Sequence, residues 1–423
     1  MSDKNQVVVG AKKKQDIFLR LFLLYVTPLC VYLQSLFIAT TNAWGAIYIT
    51  LLVGVMLISG RFSIQVKKSD ALFFGFMLIA CFASFRAGEY LYFMQAFFLM
   101  MFVWGYTKYD LEVFYQYLDI IFVFGVACAI ACFIQELWNG FYTDFISKLF
   151  KAEEVDTILR LEEDNGNCGL MPQTANAAGC ILNAFLILCL KNNNSRKKII
   201  FGLILTLGLI LTGKRAHLFM GAFVFFTSFF VGFEGSRGVK KIVVGMVSSA
   251  ILFIGLYMLV PILPQESSIV TGIDTIQNFD VEDDDIMHGR EFLYAEAIVM
   301  GNSAPLTGHG WGSFRNTVSY RGDSTDTHNI YLQLYAEQGI IVLSIFIIAV
   351  IVLIGANVRM LKKLRRHYAE HSREVRLARL SFCFILFFCL YGMTGNGLYN
   401  IECLIILGVG VSIFKRVKQV AKV

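Results

Sequence analysis

Residues 329–356 read NIYLQLYAEQGIIVLSIFIIAVIVLIGA, with Glu337 as the only charged side chain. An α-helix rises about 1.5 Å per residue, so this stretch can cross a bilayer core of about 30 Å. The same signature recurs along the chain. Apolar runs alternate with short polar or basic breaks, and 57% of the 423 residues are hydrophobic against 16% charged. A soluble domain of this length is far more polar. In lipid a backbone must satisfy its own hydrogen bonds, and no period-two alternation suggests a barrel. The expected fold is therefore an all-α polytopic membrane bundle.

Hydropathy predicts about twelve transmembrane helices. The first five are Ile17–Ile38, Trp44–Ser59, Ala71–Phe85, Leu91–Tyr106 and Val113–Gln135. Thr174–Leu190, Ile199–Leu211, His217–Phe233 and Ile242–Pro261 follow, then Asn329–Ala356, Leu380–Thr394 and Glu402–Phe414. Residues 1–261 thus hold nine spans, with an external loop at 136–173. Residues 262–328 form a large, partly helical external loop, and residues 329–423 hold three more spans and a cytoplasmic C-terminus.

Lys and Arg set the orientation. With the N-terminus inside, the basic clusters at Lys12–Lys14, Lys67–Lys68, Arg196–Lys198, Lys240–Lys241, Lys362–Arg366 and Arg373–Arg379 are all cytoplasmic. The net charge of +6 is then a topology signal, and a nucleic-acid partner has no support. The expected location is the cytoplasmic (inner) membrane, multi-pass, with both termini inside. The first span is too long for an ordinary signal peptide and reads as an uncleaved helix. Most of the 10 cysteines, Cys81, Cys128, Cys132, Cys383 and Cys389 among them, lie in apolar runs as small hydrophobes, and no CxxC pair exists.

Three features break the pattern. Lys214–Arg215 is a dense basic pair in an outside turn, either a headgroup anchor or an anion site. Arg290 opens a helix-forming stretch, Arg290–Met300, ended by Asn302 and Pro305; Tyr294 shares its face at i, i+4. Alone, Arg290 reads as a solvated charge. His328–Asn329 begins the tenth span, where an imidazole is either structural or a base near neutral pH. Glu337, further along that helix, calls for a cavity or a partner; Glu402 is a weaker case. The acidic stretches Asp280–Asp285 and Glu153–Asp164 read as solvated. Gly308–Gly312 is no phosphate-binding loop, since no Gly-Lys-Ser/Thr follows; it reads as a tight turn bringing the loop end near His328.

Three segments together resemble the O-antigen ligase and polymerase superfamily of bacterial surface-glycan assembly. Leu211-Thr212-Gly213-Lys214-Arg215-Ala216 is similar to its Thr-x-Ser-Arg-Gly/Ala turn, with Lys214 in place of Ser. Arg290-Glu291-Phe292-Leu293-Tyr294, leading to Pro305-Leu306-Thr307-Gly308-His309-Gly310 and Phe314, resembles its external arginine helix and Gly-x-Gly turn. Thr327-His328-Asn329-Ile330-Tyr331-Leu332 with Glu337-Gln338-Gly339-Ile340 resembles its His-Asn-x-x-Leu … Glu-x-Gly-x-x-Gly segment, with Val342 at the second glycine.

The resemblance implies a GT-C-like glycosyltransferase, without a metal or other cofactor, whose site lies on the external face. Its donor would be a polyprenyl-diphosphate-linked oligosaccharide and its acceptor a glycan or lipid, in the lipid bilayer, alongside other polysaccharide-assembly proteins. His328, Arg290 and Arg215 would be catalytic, and Lys214, Tyr294, Asn329 and Glu337 would bind substrate. The favoured activity is polymerisation of capsule, exopolysaccharide or O-antigen repeat units. The alternatives are a ligase transferring finished glycan to lipid A core or another acceptor and, from a different class, a lipid-linked sugar transporter or flippase.

Overall fold

The computed structural model describes residues 111–150, 152–163, 166–191, 195–231, 290–320, 323–398 and 401–420, with the single positions Leu21 and Tyr25. The expected spans before residue 111, the span Ile242–Pro261, the Asp280–Asp285 stretch and residues 262–289 of the large loop lie outside these. So do Cys81 and the basic clusters Lys12–Lys14, Lys67–Lys68 and Lys240–Lys241.

The described chain is a helical membrane bundle. Its helices are α1 (Leu111–Leu137), α2 (Ala152–Glu163), α3 (Thr174–Lys191), α4 (Ser195–Leu211) and α5 (Arg215–Phe230). They continue with α6 (Arg290–Ser303), α7 (Ser313–Thr317), α8 (Ile330–His367), α9 (Arg373–Tyr391) and α10 (Ile401–Val420). Between α7 and α8, β1 (Ser319–Tyr320) pairs antiparallel with β2 (Asp323–Ser324) in a minimal hairpin, Ser319 facing Ser324. Three helical segments, Tyr115–Leu137, Thr174–Lys191 and Ile330–His367, are long and apolar enough to cross a membrane. The seven expected spans that fall on described residues are all helical; the total of twelve rests on hydropathy.

α1 packs on α3 and α4, while α9 gathers α3, α5, α8 and α10 around itself. The core runs from Leu118 and Ile121 of α1 through Ile181 and Leu186 to Phe384, Phe387 and Ile413. Cys128, Cys132 and Cys383 are buried within it as free thiols, and Cys389 is buried in a second cluster with Ile330, Leu334 and Phe388. A polar stitch crosses the last three helices: Asn357 Nδ2 donates to Ser381 Oγ (3.2 Å), which donates to the Gly410 carbonyl (2.6 Å). One end of the bundle is basic. There Lys191 pairs with Asp119, Arg365 and Arg379 share Glu370, and Arg376 donates to the Lys191 carbonyl.

The tenth expected span needs correction. Its helix runs to His367, and it is broken at Gly339, whose φ of 75° and ψ of 175° leave the helical region. Upstream of the break, Ile330, Gln333, Leu334 and Ala336–Gln338 are buried in protein. Downstream, Ile340, Ile341, Ile348 and Ile351 are exposed, an apolar surface suited to lipid. A break frees backbone groups that cannot be left unpaired in an apolar setting. The turn after α6 takes them up: His309 and Gly310 donate to the carbonyls of Ala336 (3.3 Å) and Glu337 (2.7 Å), and Ile340 donates to that of Pro305 (2.8 Å).

The fit leaves no room for a side chain. A Cβ on Gly308, itself at φ 60°, would lie 2.2 Å from the Glu337 carbonyl carbon. Gly308→Ala therefore meets a backbone clash that no rotamer relieves, besides about 1–2 kcal/mol for the left-handed conformation. We expect a clear fall in apparent Tm of the detergent-purified protein, larger than that of Gly140→Ala, where no atom lies within 4 Å; equal Tm values would mean that the seam does not bear on stability.

Candidate functional site

The end of the bundle opposite the Lys191–Arg376 cluster assembles the sequence-predicted residues from three separated segments. Lys214 caps α5 and Arg215 is its first helical residue, held by a turn in which Gly213 has φ 66°. Arg290 is the first residue of α6, and Tyr294 lies half-buried one turn on. That helix seats Leu293 and Ala297 with Phe314 and Ala336, and Tyr335 Oη donates to Asn302 Oδ1 (2.8 Å). This packing fixes α6 along the first segment of α8, at whose start His328 stands.

His328 reaches solvent and adopts φ 55°, the only non-glycine residue with positive φ among the described residues. The strain is held by a hydrogen-bonded frame. Asn329 caps α8, its Oδ1 accepting from the N–H groups of Tyr331 (3.0 Å) and Leu332 (3.2 Å). Thr327 Oγ1 donates to the Asn329 carbonyl (2.7 Å) and accepts from the Asn329 N–H (3.0 Å). Gln333, fully buried, accepts from the Thr327 N–H (3.3 Å) and donates to Asp326 Oδ1 (3.0 Å). Behind the frame, Ile330 donates to the Gly392 carbonyl (2.8 Å) and Tyr331 Oη to that of Cys389 (2.8 Å), tying the start of α8 to the end of α9.

Electrostatics set the state of the imidazole. Burial by the surrounding protein and the nearby charges of Arg290 and Lys214 push the His328 pKa below the usual 6.5, with Asp326 opposing. The ring is thus neutral at pH 7 and able to accept a proton. Lys214 and Arg290, far apart in sequence, both reach His328 electrostatically, and Arg215 stands beside Lys214. All four lie at one end of the bundle, at the starts of α5, α6 and α8.

Glu337 has a different setting. It is fully buried, and its Oε2 accepts from the Gly312 N–H (2.9 Å) while Oε1 accepts from the Phe314 N–H (3.1 Å) and Gln333 Nε2 (3.2 Å). It has no surface to offer a substrate in this conformation; it fastens the turn to α8. The Gly308–Gly312 run is a tight turn as expected, with positive φ at Gly308, Gly310 and Gly312. It sits on the Gly339 break, His309 bonds to Ser303 Oγ (2.7 Å), and Glu337 and Gln333 link the turn to Thr327 and Asp326 next to His328. Glu402 lies near the start of α10.

Gln333 and Asp326 were not singled out from the sequence. A signal existed: Asn329, Gln333 and Glu337 recur at i, i+4 and mark one polar face on an otherwise apolar helix.

Residues 200–347 match a family model described as O-antigen ligase. The match contains every residue of the assembled end, from Lys214 to Glu337. No curated protein matches the chain.

The charges around His328 lead to a titration test with the sign fixed. Asp326→Asn keeps an acceptor for Gln333 but removes the charge that raises the His328 pKa, so NMR titration of its ring should move to lower pH. Arg290→Gln should move it to higher pH. Identical titration in both variants would show that these charges do not act on His328.

Proposed function

We propose that this integral membrane protein, whose residues 200–347 match the O-antigen ligase family model, is a glycosyltransferase that joins polyprenyl-diphosphate-linked glycan repeat units. The His328 end would face the outside of the cytoplasmic membrane and both termini the cytoplasm, in keeping with the basic clusters gathered at the opposite end of the bundle. The observation that carries the reading is the placement of Lys214, Arg215, Arg290 and His328 at the starts of α5, α6 and α8, at one end of the bundle.

The chemistry follows from those groups. An acceptor hydroxyl attacks the anomeric carbon of the donor sugar as the bond from that carbon to the diphosphate oxygen breaks. His328, neutral at pH 7, takes the hydroxyl proton. The electron pair leaves with the diphosphate, whose growing charge Arg215 and Arg290 stabilise, with Lys214 adding positive field. Guanidinium groups match phosphate oxygens bidentately and stay charged, so two of them can fill the leaving-group role of a divalent ion. Asn329 shapes the helix start and has an amide Nδ2 to offer substrate, and Tyr294 would flank Arg290. Glu337 and Gln333 hold the parts in register. Ligation of a finished glycan to another acceptor would use the same groups.

The test is reaction of the purified protein with a polyprenyl-diphosphate oligosaccharide in the presence of EDTA, read on a glycan gel. A ladder of increasing repeat number is expected. A single shift that requires a second acceptor would make it a ligase, and no new bond with any acceptor would favour transport. Arg290→Ala and His328→Ala should each lower the rate at least about 100-fold in protein that still inserts and folds. Arg215→Lys should also be damaging, since lysine lacks the fork. Near-normal activity in His328→Ala would remove the general-base role.

A further inference from the structure

The chain does not turn straight into water at the end of α1. Beyond Leu137 it runs through three short helical pieces, Asn139–Phe141, Tyr142–Ile146 and Ser147–Leu149, before α2 begins. Their inner side is apolar: Tyr142 and Phe150 are buried with Ile158 and Cys168 in a small core of their own, and Ile146 packs against it. The outer side is apolar too. Trp138, Phe141, Phe145 and Leu149 recur at helical spacing and are all exposed, Trp138 by 71% and Phe145 by 64%. Their rings form a ridge, with Trp138 centred 6.0 Å from Phe141 and Phe141 stacked at 5.0 Å on Phe145. Asp144 and Lys148, the charged pair of the segment, are exposed beside the ridge.

Four large apolar side chains facing outward from a loop would be a liability in water, and a contiguous patch of this kind marks a surface that something covers. Continuity identifies the cover. α1 is long and apolar enough to cross a membrane, and its exposed Val123, Ile130 and Leu137 recur every two turns as one stripe suited to lipid. The ridge begins where that stripe stops, at the boundary between hydrocarbon and headgroups. Trp and other aromatic side chains favour this boundary. Charge does not supply the attraction. α2, which follows, carries Glu153, Glu154, Asp156, Glu162 and Glu163 against Arg160 alone, and anionic headgroups repel it.

The ridge is also tied to the cationic turn. Tyr142, on its inner side, donates from Oη to the Gly169 carbonyl (2.7 Å). Gln135 Oε1, just before the ridge, accepts from the N–H groups of Cys168 (2.8 Å) and Gly169 (3.1 Å). The Asn167 N–H in turn donates to the Leu211 carbonyl (3.1 Å), at the start of the turn that holds Lys214 and Arg215. We propose that Trp138–Leu149 is an interfacial anchor, its aromatic ridge seated among the upper acyl chains of the leaflet at the His328 end. Through Tyr142 and the 167–169 turn it sets the depth at which Lys214 and Arg215 meet a lipid-borne diphosphate. The contact with lipid stands on the ridge alone, whereas the depth-setting role rests on the glycosyltransferase reading.

Trp138 reports on its own surroundings. The full-length protein is reconstituted in phosphatidylcholine vesicles brominated near the top or near the end of the acyl chains. Subtracting the emission of Trp138→Phe from that of wild type leaves the emission of Trp138. Bromolipid should quench it, shallow bromines more than deep ones, and aqueous iodide should leave it nearly untouched. Phe141→Ser combined with Phe145→Ser removes two exposed rings, so the apparent Tm should hold. In that double variant Trp138, measured the same way, should lose most of its bromolipid quenching and become open to iodide. Its affinity for polyprenyl diphosphate in the bilayer should fall at least about threefold, while affinity for inorganic diphosphate, which arrives from water, should be unchanged.

Quenching of Trp138 by iodide and not by bromolipid would overturn the anchor and leave a solvated loop. Quenching by neither would overturn it in favour of a protein partner on the ridge. Equal losses for lipid-borne and inorganic diphosphate in the double variant would overturn the depth-setting role, as would no loss for either. A wild-type protein whose Trp138 is quenched by bromolipid yet binds neither diphosphate keeps the anchor and removes the donor from the glycosyltransferase reading, so the two failures are distinguishable.

Discussion

The carboxylate of Glu337 holds the functional end together. Buried without access to water, it accepts the N–H groups of Gly312 and Phe314 and the amide of Gln333. Charge-assisted bonds of this kind are stronger than neutral ones, and a buried carboxylate needs several of them to offset lost hydration. In one direction they fasten the glycine turn, and with it Phe314 and α6, against α8. In the other, Gln333 passes the constraint to Thr327 and Asp326, which flank His328. One acidic group thus fixes the distance between the arginine of a loop helix and the histidine of a membrane helix.

Chemistry at a membrane surface benefits from such an arrangement. A diphosphate presented by a lipid arrives at a defined depth, so catalytic groups must be held at that depth as well as at the right separation. Loops are ordinarily the mobile parts of a protein. Here the loop is sewn into a break in a membrane helix, with His309, Gly310 and Ile340 as the stitches. The positive φ of His328 is sustained by the same rigidity, since a strained backbone persists only where its surroundings over-determine it.

Much of the architecture was legible because lipid imposes a simple rule on sequence. Val113–Gln135 and Thr174–Leu190 match α1 and α3 to within two residues at each end. Arg290–Met300 was also readable, since helix-forming composition ends at Asn302 and Pro305 and the helix stops at Ser303. The break at Gly339 was not. A glycine in an apolar run costs a helix little by itself, and only the docked turn, supplied by residues about thirty positions upstream, makes the broken form preferable. Glu337 was visible as an anomaly, but its partners are backbone amides, which every residue type carries, so no code pointed to them. Asn176 and Asn183 were not singled out; the isolation of their Oδ1 atoms becomes apparent only when the neighbouring helices enclose them.

The break at Gly339 also separates two kinds of surroundings. Upstream, each side chain answers to particular neighbours: Gln333 to Thr327, Glu337 to Gly312, Ile330 to Gly392. Downstream, Ile341, Ile348 and Ile351 answer only to a liquid hydrocarbon, which asks for hydropathy and is indifferent to identity. The family match ends at residue 347, two turns past the break, while specific partners return further along the same helix at Asn357 and Arg365.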